Sequence, residues 1–256
     1  MQDLGLIFSL VMVSVSGAVM LHFGYEFLGG SIPFTHFIAA ALIAFAAYAF
    51  DRGIENREDE SRQAEFRRLL LAAAISSVIV SFMLFPNPAL LIPFLIAYLY
   101  TKGIRGYRLK GGIGVKNAVV AFTWTLGVLI FLGVFTLPAL LLCGFFFTKS
   151  FVNTVIYDVR DIARDRMAGI ATLPVLLTAP QLRLFLLSIN LTAHAAALLG
   201  YFAGFFMGIR IIAISTIHST LYILLYCNKF SCMRDVMVDG EWILYAGYMI
   251  FLDCLL

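Results

Sequence analysis

The sequence predicts an all-α integral membrane protein, a single bundle of about nine transmembrane helices in one domain spanning residues 1–256. Three observations lead there. Hydrophobic residues make up 62% of the chain and charged ones 13%, against roughly a quarter charged in an ordinary soluble domain. A soluble fold of this length has too little interior to hide so many apolar side chains. The apolar residues fall into long runs, and the basic residues gather in alternate gaps between them. This composition places the chain in lipid and gives no nucleic-acid partner to expect.

The runs cover about 4–25, 33–50, 67–85, 88–101, 117–135, 137–157, 181–203, 211–227 and 241–256, near the roughly twenty residues a bilayer core requires. Met1-Gln2-Asp3 lacks a basic leader, so the run from Leu4 reads as a first span rather than a cleaved signal. Pro33 opens the second run, Pro86 and Pro88 separate the third from a short fourth, and Pro138 opens the sixth. Cys143, Cys227, Cys232 and Cys254 show no metal-ligand spacing and read as small apolar residues.

Sixteen of the eighteen Lys and Arg lie in the connections after runs two, four, six and eight. Lys149 sits inside run six, and Arg210 alone is on the other side. By the positive-inside rule those connections face the cytoplasm, with the N-terminus inside and the C-terminus outside.

The acids are concentrated too. Of fifteen Asp and Glu, six lie between residues 51 and 65 and three between 158 and 165. Asp51, Glu55 and Asp59 are spaced by four, which stacks them on one face of a continuing helix. They repel one another unless a cation lies among them; a solvated amphipathic connection is the competing reading. Asp158, Asp161 and Asp165 fall on one helical face, and Lys149, Asn153 and Tyr157 continue the stripe into the membrane. Such a stripe is hard to explain by packing, although charged side chains snorkelling at a helix end are the plainer alternative. Two carboxylate clusters at one membrane face suit a hard divalent cation, Mg2+ foremost, shared with substrate phosphates. Lys116, Lys149, Arg160 and Arg164 are candidates to neutralise the remaining phosphate charge, with Asn153 and Tyr157 beside them. Asn190 and His194, four apart in run seven, are candidates for an acceptor pocket or for interhelical hydrogen bonds. Asp235, Asp239 and Glu241 are expected to be solvated.

Asp158-x-x-Asp161-x-x-x-Asp165-x-x-x-Gly169-x-x-Thr172-Leu173-Pro174 resembles the second aspartate-rich motif of the UbiA superfamily of intramembrane prenyltransferases along its whole length. Arg108-Leu-Lys-Gly, with Lys116-Asn117 and Trp124 beyond, is similar to the family's approach to its fifth helix. The first cluster departs from the family pattern: Arg52 stands where the stricter motif has Asp, Glu55 replaces an Asp, and no Arg-Pro follows. The resemblance implies a UbiA-like bundle and Mg2+-dependent transfer of a prenyl group from an isoprenyl diphosphate to a lipophilic acceptor, aromatic, quinone precursor or membrane lipid. The six acids would then serve as metal ligands and catalytic groups. A UbiA-type terpene cyclase is the alternative, and a cation-coupled transporter fits less well because the acids gather at one face rather than the midplane.

The first cluster yields a test. Asp59→Asn is expected to lower pyrophosphate release at least about a hundredfold, as loss of a strong electrostatic group at a transition state does. Glu55→Asp should lower it as well if the extra methylene is what carries the carboxylate to the metal. Unchanged turnover in Asp59→Asn and Glu55→Asn would mark residues 51–59 as a solvated connection.

Overall fold

A computed structural model describes residues 2–54, 64–103, 114–167, 169–227 and 233–255. Among the described residues the chain is helical without strands, and each predicted apolar run contains a helix. These are α1 Gln2–Phe27, α2 Phe34–Gly53, α3 Ala64–Leu84, α4 Ile92–Thr101, α5 Val115–Leu132 and α6 Leu137–Asp158. The short α7 Ile162–Met167 and the single turn α8 Leu173–Leu176 follow, then α9 Ala179–Phe202, α10 Ile209–Tyr226 and α11 Glu241–Leu255. Seven of the helical stretches are long and apolar enough to cross a membrane. The fourth run is the exception the prolines foretell: Pro88–Leu91 forms a 3-10 turn before the ten residues of α4, a helix of only about 15 Å. α11, with 15 residues, is short as well.

Local chemistry sets the helix starts. The Asn87 side chain accepts from Ala89 N ahead of the 3-10 turn, and Thr136 caps α6 with Pro138 in its first turn. Thr178 and Gln181 form a reciprocal capping box at α9, again with a proline in the first turn. α5 ends on Gly133 in the left-handed region, φ 65°, a conformation that costs glycine nothing.

Neighbouring helices close a ring in the order α1, α2, α4, α5, α6, α9, α10, α11 and back to α1, with α3 packed on α2. The α1–α2 seam is close because it is built of small residues. A Cβ on Gly17 would lie 2.7 Å from Ala44 Cβ, and Ser14 Oγ donates to Ala41 O at 2.8 Å. Ser16 Oγ reaches Asp239 O at 2.7 Å, tying α1 to the turn before α11. Leu69, Ile75, Ile79 and Met83 of α3 point outward, as lipid-facing residues do.

The helix ends sort into two faces. Thr101 Oγ1 donates to Asp51 at 2.5 Å and Lys116 Nζ to Asp158 at 2.6 Å. The C-terminal ends of α2, α4 and α6 therefore meet the start of α5 at one face. At the other face Tyr25 Oη bonds His36 Nδ1 at 2.9 Å and donates to Phe131 O at 3.0 Å, and Arg210 pairs with Asp253 at 2.8 Å.

This arrangement makes a topological prediction. In a cysteine-free background, Lys102→Cys and Arg164→Cys should react with a membrane-impermeant maleimide from one side, and Arg210→Cys from the other. Labelling of Lys102→Cys and Arg164→Cys from opposite sides would contradict the shared face.

Candidate active site

Lys116 stands in the first turn of α5, and its ammonium is held between two carboxylates. Asp158 Oδ1 is 2.6 Å away and Asp165 Oδ2 is 3.3 Å away. Both acids are buried, at 5% and 3% exposure. Asn117, the next residue, donates to Asp158 Oδ2 at 2.8 Å, and Thr172 Oγ1 approaches Asp165 Oδ2 at 3.4 Å. The motif's tail thus folds back onto its own aspartate. Gly169, at φ 68°, turns the chain, and Ile170 N closes on Asp165 O at 2.8 Å.

The predicted single face of three aspartates is broken. A 3-10 turn at Val159–Asp161 separates α6 from α7 and changes the angular step between residues. Asp158 and Asp165 face inward, whereas Asp161 pairs outward with Arg160 at 3.4 Å and Arg164 at 2.8 Å. Arg160 also lies 5.4 Å over the Tyr157 ring, which carries Arg234 at 4.1 Å. Of the first cluster, Asp51 bonds Thr101 and approaches Arg52 Nε at 3.6 Å. Glu55 and Asp59 lie outside the described residues.

Two cavities adjoin these groups. One, of about 270 Å³, is almost wholly apolar and runs between α1, α2, α4 and α5 from Asp51, Arg52 and Tyr100 to Leu21 and Phe131. The other, of about 200 Å³, is the more polar of the two: Lys116, Asn117, Asn153, Tyr157, Asp158 and Glu241 are among the residues that line it. Tyr48, Arg52 and Trp124 border both, so a molecule with a charged head and an apolar tail has contiguous room.

The other predicted residues divide. Asn153 lines the polar cavity and donates to Val238 O at 2.6 Å. Lys149 is fully buried and directed elsewhere: its ammonium is 3.0 Å from Glu241 Oε2 and 2.9 Å from Tyr245 Oη. His194 links α9 to α10 through Ser215 Oγ at 2.7 Å and bonds Asn190 O at 2.7 Å; neither Asn190 nor His194 lines the two cavities. They stand where interhelical hydrogen bonds would put them. Glu241 corrects its expectation outright. It is 1% exposed rather than solvated, because the five-residue π-turn Asp235–Asp239 lays the start of α11 against α1 and α6. The signal was available in Lys149, since a lone cation inside an apolar span demands a carboxylate.

Mg2+ suits this donor set. Among the described residues no three His, Cys, Asp or Glu side chains converge, but Asp158 and Asp165 supply hard oxygens and outnumber the single ammonium between them. Asn117 Oδ1, buried beside Asp158, has no hydrogen-bond partner, as an oxygen awaiting a cation or a metal-bound water would be.

No protein-family model matches the sequence, and no curated protein matches it significantly. Solved structures do match, over nearly the whole chain. A UbiA homologue from Archaeoglobus fulgidus bound to Cd2+ gives a TM-score of 0.63 at 14% identity, covering 98% of this chain and 99% of that one. A structure of a UbiA homologue from Archaeoglobus fulgidus bound to DMAPP and Mg2+ gives 0.60 at 15%, covering 96% and 97%. A digeranylgeranylglyceryl phosphate synthase gives 0.55 at 17%, covering 96% and 95%. The chain has the UbiA fold.

Lys116→Met should leave two buried carboxylates without their counter-charge and cost about 3–5 kcal/mol of stability. Thermal unfolding in detergent measures this, and added Mg2+ should restore part of the loss in the variant. A variant as stable as the parent would show that the pair is not held as described.

Proposed function

We propose that the protein transfers a prenyl group from an isoprenyl diphosphate to a lipophilic acceptor within the membrane, with Mg2+ as cofactor. The observation that carries this reading is the buried Asp158–Lys116–Asp165 cluster in a polar cavity that shares a wall with a long apolar one. The likeness in fold to a homologue that binds DMAPP and Mg2+ supports it.

In this reading the apolar cavity takes the prenyl tail, and the diphosphate lies at the shared border between Arg52 and Lys116. Asp158, Asp165 and the Asn117 amide oxygen would hold the metal from α6, α7 and α5, with Asp51 contributing from α2 and Glu55 and Asp59 as further candidate ligands. Mg2+ held there would supply positive charge to stabilise the departing pyrophosphate. Lys116 adds a fixed ammonium to the same departing charge. Arg160 and Arg164, already engaged with Asp161, form an outer basic tier. The apolar walls and Trp124 exclude water, which would otherwise capture the allylic cation, and their aromatic faces tolerate it. The sixteen basic residues gathered in four connections support a mouth on the cytoplasmic side by the positive-inside rule.

Mg2+ and a prenyl diphosphate together should stabilise the detergent-solubilised protein more than either does alone. Both carboxylates are relieved only when the metal's shell is completed by phosphate oxygens, and saturation at a hundredfold over Kd is worth about 2.7 kcal/mol. Asp158→Asn should abolish the joint effect. Melting curves indifferent to both additives would remove the basis of the proposal.

A further inference from the structure

Lys149, Asn153 and Tyr157 stand four apart on α6, and each is engaged by the segment that joins α10 to α11. Tyr157 carries the Arg234 guanidinium 4.1 Å from the centre of its ring. Asn153 donates to Val238 O at 2.6 Å, and Lys149 pairs with Glu241 at 3.0 Å. The pairings run antiparallel, the partner's number rising as the number on α6 falls. Two further bonds hold the segment from other helices, Ser16 Oγ to Asp239 O and His218 Nε2 to Met237 O, each at 2.7 Å. Asp239, Glu241 and Trp242 in turn form part of the wall of the polar cavity. The polar stripe on α6 is therefore a docking track for that wall.

Among these three pairings, Arg234 with Tyr157 lies next to Asp158 in the chain. Arg234 is 1% exposed, and a guanidinium so buried is costly unless its surroundings compensate. Tyr157 compensates twice, through the face of its ring and through its backbone carbonyl, which accepts from Arg234 Nη1 at 3.3 Å. That carbonyl lies in the last turn of α6, where the helix's own donors run out and the chain tightens into the 3-10 turn at Val159–Asp161. The carboxylate of the following residue, Asp158, points to Lys116 and Asn117, while Asp161 turns away to Arg164. A clamp on both the ring and the carbonyl of Tyr157 fixes how that turn is rotated.

We propose that Arg234 is a positioning residue for the diphosphate site: by clamping Tyr157 it holds Asp158 where Mg2+ and the diphosphate would meet. The inference rests on the prenyl-transfer reading above and adds to it a residue 77 positions from Tyr157 along the chain. Arg234 itself lines neither cavity, so its effect reaches the substrate through Tyr157 and Asp158. Its loss weakens the hold on the metal.

The test follows thermal unfolding of the full chain in detergent while Mg2+ is titrated. A prenyl diphosphate is kept at saturation, the one from a ladder of chain lengths that stabilises the parent most. The Mg2+ concentration giving half of the joint stabilisation should rise at least about tenfold in Arg234→Met, the scale of losing a group that orients a metal ligand. A residue that only stabilised the fold would lower the melting temperature and leave that midpoint in place. Arg234→Lys keeps the buried charge without the planar guanidinium; it should shift the midpoint less, in the same direction, and it serves alone if Arg234→Met does not fold. In a Tyr157→Leu background the shift caused by Arg234→Met should vanish, because both act through one contact. An unshifted midpoint in either Arg234 variant, or an undiminished shift in the Tyr157→Leu background, would overturn the inference and leave the prenyl-transfer reading standing on the parent's joint stabilisation. A parent that no member of the ladder stabilises together with Mg2+ would bring down that reading and this inference with it.

Discussion

Two carboxylates and one ammonium, buried together where α5, α6 and α7 meet, constrain the arrangement around them. Asp158 and Asp165 repel across a medium that screens them poorly, and Lys116 between them makes the cluster tolerable. Holding the ammonium there requires α5 to begin where α6 ends, and requires the chain beyond α6 to fold back rather than run on into the aqueous phase. The 3-10 turn and Gly169 accomplish that return. The same cluster leaves an excess of negative charge and an unpartnered Asn117 oxygen on the wall of the second cavity, so the feature that organises the local fold is also the one on which the proposed Mg2+ site is built.

Much of this was legible in the sequence because lipid leaves so few options. Apolar runs in a bilayer become helices, having no other way to satisfy their backbone groups, so the positions of α1 to α6 and α9 to α11 followed from hydropathy and prolines. Alternation of basic residues likewise placed Asp51 and Asp158 at one face. The Asp158 motif was readable at the level of residue identity. Its three-dimensional form was not, because i, i+3, i+4 spacing assumes a regular helix, and the tightening at Val159–Asp161 sends Asp161 outward to Arg160 and Arg164.

Lys149 and Glu241 mark where one-dimensional reading ended. They are 92 positions apart, a separation that no periodicity argument spans, and each looked ordinary alone: one a cation continuing a stripe, the other an acid in a connecting segment. Their pairing depends on the π-turn before α11, a backbone irregularity without a reliable local signature. Asn190 and His194 illustrate the reverse. Their spacing suggested a lined pocket, yet His194 joins α9 to α10 through Ser215, as polar groups in apolar helices commonly do.

At the face opposite the charged clusters, Tyr25 clasps His36 and the Phe131 carbonyl, and Phe131 stacks on Phe85 at 4.6 Å. Phe131 also lines the apolar cavity. Those rings put aromatic faces on that part of the wall, and Tyr25 ties the Phe131 backbone to α1. Under the proposed function, a prenyl tail that reached this end would meet those rings, and its number of isoprene units would decide whether it does.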